Sequence, residues 1–222
     1  MTAPALYTLE SPAAIPTMVW HWGRGNYDPA TGVVIHDAGL VGATGGGFSA
    51  FIAREAVDAR ETLSIEYDVS FSANWRFGKS GKLPGLYGGR TDLGPDVRPT
   101  GYNGFSVRPC WVQDGRVQLY VYDVHAEGYG RGPQSASPCL FAGHRHRVRL
   151  VWALNTVGNR DGSARLFVDG ALQAEVSDCE FRRTPGLRAS GIWWASFFGG
   201  GDASFAPTER VLCQLHSLRV TA

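Results

Sequence analysis

The sequence predicts an all-β protein built as an antiparallel sandwich, on three observations. Short segments alternate apolar and polar residues with a period of two, most cleanly in Leu63-Ser64-Ile65-Glu66-Tyr67-Asp68-Val69-Ser70-Phe71. That is the period at which successive side chains of a strand leave on opposite faces. Asp-Gly pairs at Asp114-Gly115 and Asp169-Gly170 interrupt such segments, and both residue types tolerate the positive φ of a tight hairpin turn. Gly (29) and Pro (12) stand beside many Val, Phe, Tyr and Trp, a composition of pleated surfaces and sharp reversals, and no long segment sustains a helical period. A chain of 222 residues suffices for one sandwich with a sizeable core, so the whole length is expected to form a single domain.

In chain order, the Gly42 to Gly47 cluster marks a bend that enters a strand at Phe48. Leu63 to Phe71 follows, with Leu63, Ile65, Tyr67, Val69 and Phe71 on one face. Lys82 then stands at the end of an alternating strand and inside a glycine-rich loop, a ligand-facing place for a cation, and Arg90 to Tyr102 reads as a long loop. Ser106 and Arg108 share one face of the next strand, with Phe105 and Val107 opposite. Pro109 cannot donate a ladder hydrogen bond, so this strand is expected at an edge or with a bulge. Past Asp114-Gly115 the chain returns from Arg116 to His125, placing Val117, Leu119 and Val121 on one face and Gln118, Tyr120 and Tyr122 on the other. The polar faces of these two strands would line the concave side of a curved sheet. Glu127 to Pro138, rich in Gly, Ser and Pro, is a second long loop, of a length that in compact domains is functional or mobile. From His144 to Leu154, His146, Val148, Leu150 and Trp152 turn inward, and Arg145, Arg147 and Arg149 form a basic face read as solvated and convex.

The formal charge of +1 provides no global field for a polyanion, so recognition of an acidic polymer must come from locally placed Lys and Arg. Neither a nucleic-acid nor a membrane partner is expected, and a monomer is. No apolar run is long enough to span a bilayer, and Met1-Thr2-Ala3-Pro4 opens no secretory signal. The expected location is secreted or periplasmic if a leader has been trimmed and cytoplasmic otherwise. Cys110, Cys139, Cys179 and Cys213 make no CxxC or Cys/His metal pattern; they are buried free thiols or include one disulfide.

The stretch Gly78-Lys79-Ser80-Gly81-Lys82-Leu83-Pro84-Gly85-Leu86-Tyr87-Gly88-Gly89 resembles the KLPGLYGG signature of polysaccharide lyase family 14 and of the related family 20 glucuronan lyases. Phe105-Ser106-Val107-Arg108 and Leu119-Tyr120-Val121-Tyr122 match two more motifs of that family, Ser-x-Arg and Tyr-x-Tyr, in the same order. Phe197 to Pro207 is similar to the family's last strand and loop, so the resemblance runs from about Leu63 to the C-terminus. Val112-Gln113 stands where the family carries an arginine after the tryptophan, which removes one carboxylate contact. The resemblance implies a β-jelly-roll of the concanavalin or lectin-like type with a concave substrate cleft. It also implies cleavage of a uronic-acid polymer, glucuronan or alginate, by β-elimination, with Lys82, Ser106, Arg108, Tyr120 and Tyr122 as the active-site set.

The chemistry suits those residue types. β-Elimination beside a uronate must neutralise the carboxylate, remove the C5 proton and protonate the departing glycosidic oxygen. A guanidinium can hold a carboxylate by two parallel hydrogen bonds, and fixed cations stabilise developing negative charge. Arg108 and Lys82 are the candidates. A phenol beside a cation has its pKa lowered from about 10 and can exchange protons. Tyr122 is therefore read as the acid/base residue with Tyr120 beside it, Lys82 as an alternative base, and Ser106 as a positioning donor.

Around this set Tyr87, Trp111, Trp193 and His125 are candidate substrate-binding residues; Trp75 and Trp194 are further aromatic candidates, though one of the adjacent Trp193 and Trp194 must enter the core. His21, between Trp20 and Trp22, and His36, beside Asp37, are read as structural, His36 being the nearer to the cleft. No HExxH motif argues for zinc, and no cofactor is expected beyond a structural calcium with Asp202 as one oxygen ligand. Two other classes compete: a noncatalytic carbohydrate-binding module on the same sandwich, and a retaining glycoside hydrolase using Glu66 and Asp68, which share a strand face but lack a third acid, since Phe71 stands there.

Overall fold

The computed structural model of the protein describes residues 26–41 and 62–221, together with the backbone of the strand segments 5–9, 18–22 and 46–51. The strands are β1 (Ala5–Leu9), β2 (Met18–Trp22), β3 (Tyr27–Asp28), β4 (Val33–His36), β5 (Gly46–Phe51), β6 (Thr62–Phe71), β7 (Ser80–Lys82) and β8 (Gly85–Gly89). They continue as β9 (Gly104–Val112), β10 (Val117–Tyr122), β11 (Arg145–Ala153), β12 (Gly162–Val168), β13 (Ala171–Cys179), β14 (Gly191–Phe198) and β15 (Val211–Thr221). They form two antiparallel sheets, an eight-stranded one in the order β13-β12-β11-β6-β15-β4-β3, with β1 against β15, and a seven-stranded one in the order β10-β9-β7-β14-β5-β2, with β8 between β9 and β14. This is the expected β-jelly-roll sandwich. The strand expected at Phe48 is β5; the bend at Gly42 to Gly45 and the side chain of His21 lie outside the described residues.

The alternation in the sequence is the alternation of burial. Leu63, Ile65, Tyr67, Val69 and Phe71 of β6 are all buried in the core, where they meet Phe105, Val107 and Trp111 of β9, Leu119 and Val121 of β10, and Ile192, Trp194 and Phe198 of β14. The β11 residues behave likewise: His146, Val148, Leu150 and Trp152 are buried, whereas Arg145 and Arg147 are exposed and grip Asp68 at 2.7 and 2.9 Å. Both Asp-Gly pairs make the predicted turns, with φ of 63° and 79° at Asp114 and Gly115 and 49° and 82° at Asp169 and Gly170. All four cysteines are free thiols.

Three expectations are corrected. Lys82 is not in a loop: the glycine-rich stretch forms β7 and β8, and Gly81 has no room for a side chain because the Trp111 ring lies where its Cβ would be. Pro109 is in an interior strand. It pairs with Leu119 of β10, and its other edge faces the break between β7 and β8, where Leu83 N donates to Pro109 O (2.9 Å) and no further donor is demanded. The strand ending at Phe198 is followed by β15, whose alternation is disguised by a bulge between Leu215 and Leu218. The loop expected from Glu127 to Pro138 is present, and it is tied to β10 by Arg131 and Val121, which exchange two 2.8 Å backbone bonds, and by Ser135 N to Val117 O (2.7 Å).

Candidate active site

Strand register assembles the site. Tyr120 lies opposite Arg108 and Tyr122 opposite Ser106 across β9 and β10, Lys82 lies opposite Cys110 across β7 and β9, and Tyr87 lies opposite Ser106 across β8 and β9. Directly paired residues of an antiparallel ladder share a face, so Lys82, Tyr87, Ser106, Arg108, Tyr120 and Tyr122 stand on the face of the seven-stranded sheet turned away from the core. Strand β14 adds Trp193 opposite Gly85 and Phe197 opposite Lys82.

Within this row Lys82 Nζ sits 3.7 Å from the centroid of the Tyr120 ring. The Tyr120 and Tyr122 hydroxyls are 3.5 Å apart, their rings edge to face at 5.5 Å. Arg108 is only 6 % exposed. Its Nε donates to Leu83 O and one terminal nitrogen to Ala195 O, both at 3.1 Å, and its guanidinium carbon lies 5.0 Å from the Trp193 ring and 5.2 Å from Phe197. Its Nε edge is thus committed to backbone carbonyls, and a carboxylate can meet only the remaining terminal edge. Burial pushes the guanidinium down to about 10, which leaves it charged at neutral pH. Ser106, almost fully buried, lies between Tyr122 and Tyr87 in the register.

Phenol acidity goes against the sequence expectation. Burial raises Tyr120, and its bond to Tyr122 raises it further; burial also raises Tyr122, against which the bond from Tyr120 acts in the lowering direction. Desolvation is the largest cause in each. Both phenols therefore rest protonated, and Tyr122 is the one whose ionised form its neighbour supports.

The outlying candidates divide. Trp193 is half-buried on the site face and stacks on Tyr87 at 5.2 Å and 25°. Tyr87, at 1 % exposure, backs Trp193 and offers no surface of its own. Trp111, Trp75 and Trp194 are core residues, which corrects Trp111 and Trp75 as sugar platforms and puts Trp194, not Trp193, inside. The odd-numbered face of β9 that carries Phe105 and Val107 also carries Trp111, a consequence of strand period that was open to sequence reasoning. His125 bonds Glu180 Oε2 through Nε2 at 2.9 Å, and Glu180 also holds Arg183. His36 is fully buried against Trp75 and Phe198 and does not approach this face.

Asp202 caps its own turn by accepting from the Ser204 backbone and hydroxyl. Among the described residues no group of three or more His, Cys, Asp or Glu could hold a metal ion. Glu66 and Asp68 belong to the eight-stranded sheet, on the side of β6 away from its core residues, with Asp68 bound by two arginines. Residues missed at the site are Phe197, which shares a face with Trp193 by strand period, and Gly130, which no local pattern announces.

A jelly-roll whose open sheet face gathers a lysine, an arginine and two phenols defines a carbohydrate-active protein with proton-transfer groups. The family model for polysaccharide lyase 14 matches residues 34–216, and the chain belongs to that family; it is a polysaccharide lyase. Among solved structures it is similar to the marine PL-14 alginate lyase from Aplysia kurodai, with 22 % identity, TM-score 0.80, and 99 % of this chain and 100 % of that one covered. It is also similar to the alginate lyase vAL-1 from Chlorella virus (19 %, TM-score 0.72, 92 % and 99 % covered). A third likeness is to the endo-β-1,4-glucuronan lyase from the fungus Trichoderma reesei (11 %, TM-score 0.59, 99 % and 96 % covered). A comparison with curated protein sequences finds no match. Among the described residues no helix is long and apolar enough to cross a membrane.

Proposed function

We propose that this lyase cleaves a polyuronate by β-elimination, with alginate ahead of glucuronan because the alginate lyases are the more similar structures. The observation that carries the reading is the contact of Lys82 with the Tyr120 ring and of Tyr120 with Tyr122, beside the fixed charge of Arg108. A uronate lying on this face would meet the Arg108 charge with its carboxylate, which stabilises the enolate formed when C5 loses its proton. The Lys82 amine, at the Tyr120 ring, takes that proton and afterwards releases it to solvent. Tyr122, held protonated by burial, gives its own to the glycosidic oxygen. The C5–H and C4–O bonds break, the C4=C5 double bond forms, and Tyr122 is left as a phenolate to be reprotonated by solvent. Trp193, half-buried and backed by Tyr87, offers a ring face for an adjacent sugar.

Mass spectrometry of the products tests the reading. Elimination leaves an unsaturated end lacking the water that a hydrolase would add; saturated ends would overturn it.

A further inference from the structure

The loop beyond β10 bears on the tyrosine pair through its backbone. Arg131 pairs with Val121, the residue between Tyr120 and Tyr122, by two 2.8 Å backbone bonds. This sets Gly130 alongside the pair. A Cβ on Gly130 would lie 2.6, 2.7 and 3.0 Å from Cε1, Cδ1 and Cζ of Tyr120, so the ring occupies the space of the missing side chain. With Lys82 Nζ over the same ring, Tyr120 is confined by the lysine amine and by a backbone.

The loop is fixed in turn by a buried ion pair. Asp123, fully buried, receives Arg131 Nε at 2.8 Å and a terminal Arg131 nitrogen at 2.7 Å, in the parallel geometry that gives this pair its directionality. The remaining capacity of the carboxylate is filled by the backbone amides of His125 (3.3 Å) and Glu180 (3.2 Å), which ties the end of β10 to the segment after β13.

We infer that Gly130, held by the Asp123–Arg131 pair, is a positioning residue for Tyr120 and Tyr122. The inference rests on the proposed lyase reading, in which Tyr122 becomes a phenolate as it protonates the leaving oxygen. At that moment the Tyr120 hydroxyl must be aimed at the charged oxygen, and donors fixed in advance on developing charge are worth most in a partly buried site. The phenols themselves agree: burial raises both, and the backbone of Gly130 opposes that rise in each.

The test is Gly130→Ala and Arg131→Lys beside wild type, each followed by kcat, KM, the pH profile of kcat and the melting temperature. A methyl group at Gly130 must displace the Tyr120 ring from 2.6 Å to an ordinary contact of at least 3.4 Å, nearly an ångström. Misplacements of that size cost roughly ten- to a hundredfold in rate. The expected result is a fall of that order in kcat with KM within twofold of wild type and an altered basic limb of the pH profile. Arg131→Lys, which keeps the charge but loses the two parallel bonds, is expected to give a smaller fall of the same kind. Unchanged kcat in either folded variant overturns the inference, as does a fall in kcat matched by a change in KM and a lowered melting temperature, the mark of a merely structural role. If Gly130→Ala fails to fold, Arg131→Lys decides alone. A wild-type protein that yields no unsaturated product overturns the lyase reading, and the positioning role with it.

Discussion

Acid should unfold this protein through His36 more than through any surface histidine, by an amount that follows from its surroundings. The imidazole is fully buried, edge-on to Trp75 at 5.2 Å and Phe198 at 5.3 Å; Nε2 is 3.4 Å from Ser196 Oγ and 3.5 Å from Cys213 Sγ, and Nδ1 has no hydrogen-bond partner among the described residues. Burial pushes its pKa from 6.5 down to about 3, with Asp37 opposing weakly. The unfolded chain accepts a proton near the ordinary value while the folded one refuses it until about 3, so stability is fully present above the ordinary value and is lost as the pH falls between the two. Each pH unit in that window is worth about 1.4 kcal/mol, so acidification to about pH 4.5 removes on the order of 2–3 kcal/mol, a large share of the 5–15 kcal/mol typical of a domain. Urea unfolding followed by tryptophan fluorescence at pH 7 and 4.5, on wild type and His36→Gln, measures it. The glutamine does not titrate, and contributions of distant carboxylates cancel between the two proteins. Wild type is expected to lose about 2–3 kcal/mol more than the variant; equal losses would mean that burial of His36 does not govern the acid sensitivity.

Other outcomes follow from the site. Lys82→Ala and Tyr122→Phe should each lower the rate of product formation roughly a hundred- to ten-thousandfold while leaving polymer binding measurable by affinity electrophoresis. Because burial raises Tyr122, its proton donor stays loaded below the ordinary tyrosine value; kcat should therefore not decline between pH 7 and 9, and a decline there removed by Tyr122→Phe would contradict the assignment. Trp111→Ala should cost about 3–5 kcal/mol in urea unfolding, as a core tryptophan does, whereas Trp193→Ala should raise KM with little change in stability. Glu66→Gln and Asp68→Asn, which alter the other sheet, should leave activity intact; loss of activity in either would revive the hydrolase reading.

Much of this was legible from strand periodicity. The buried face of β6, the inward His146, Val148, Leu150 and Trp152, and the shared face of Tyr120 and Tyr122 all follow from a period of two, and both Asp-Gly turns from tolerance of positive φ. Where reading failed, nonlocal geometry decided. Pro109 sits within a sheet because a partner strand breaks opposite it, and Gly81 beside Lys82 serves close packing on Trp111, not a loop. The acidity of the tyrosines was misjudged because burial, the largest cause of their shift, depends on residues far away in sequence. Gly130 was invisible for the same reason: only the bridge between Arg131 and Val121 brings it to the pair.

Elimination on a polyuronate is read by ultraviolet absorbance. Purified protein would be incubated with polymannuronate, polyguluronate, glucuronan and hyaluronan, beside Tyr122→Phe and Lys82→Ala, since a new C4=C5 bond conjugated to the carboxylate absorbs where the substrate does not. A rise is expected with an alginate block or with glucuronan, lost in both variants. No rise with any polymer, despite measurable binding, would contradict elimination and make the protein a carbohydrate-binding module on a lyase fold.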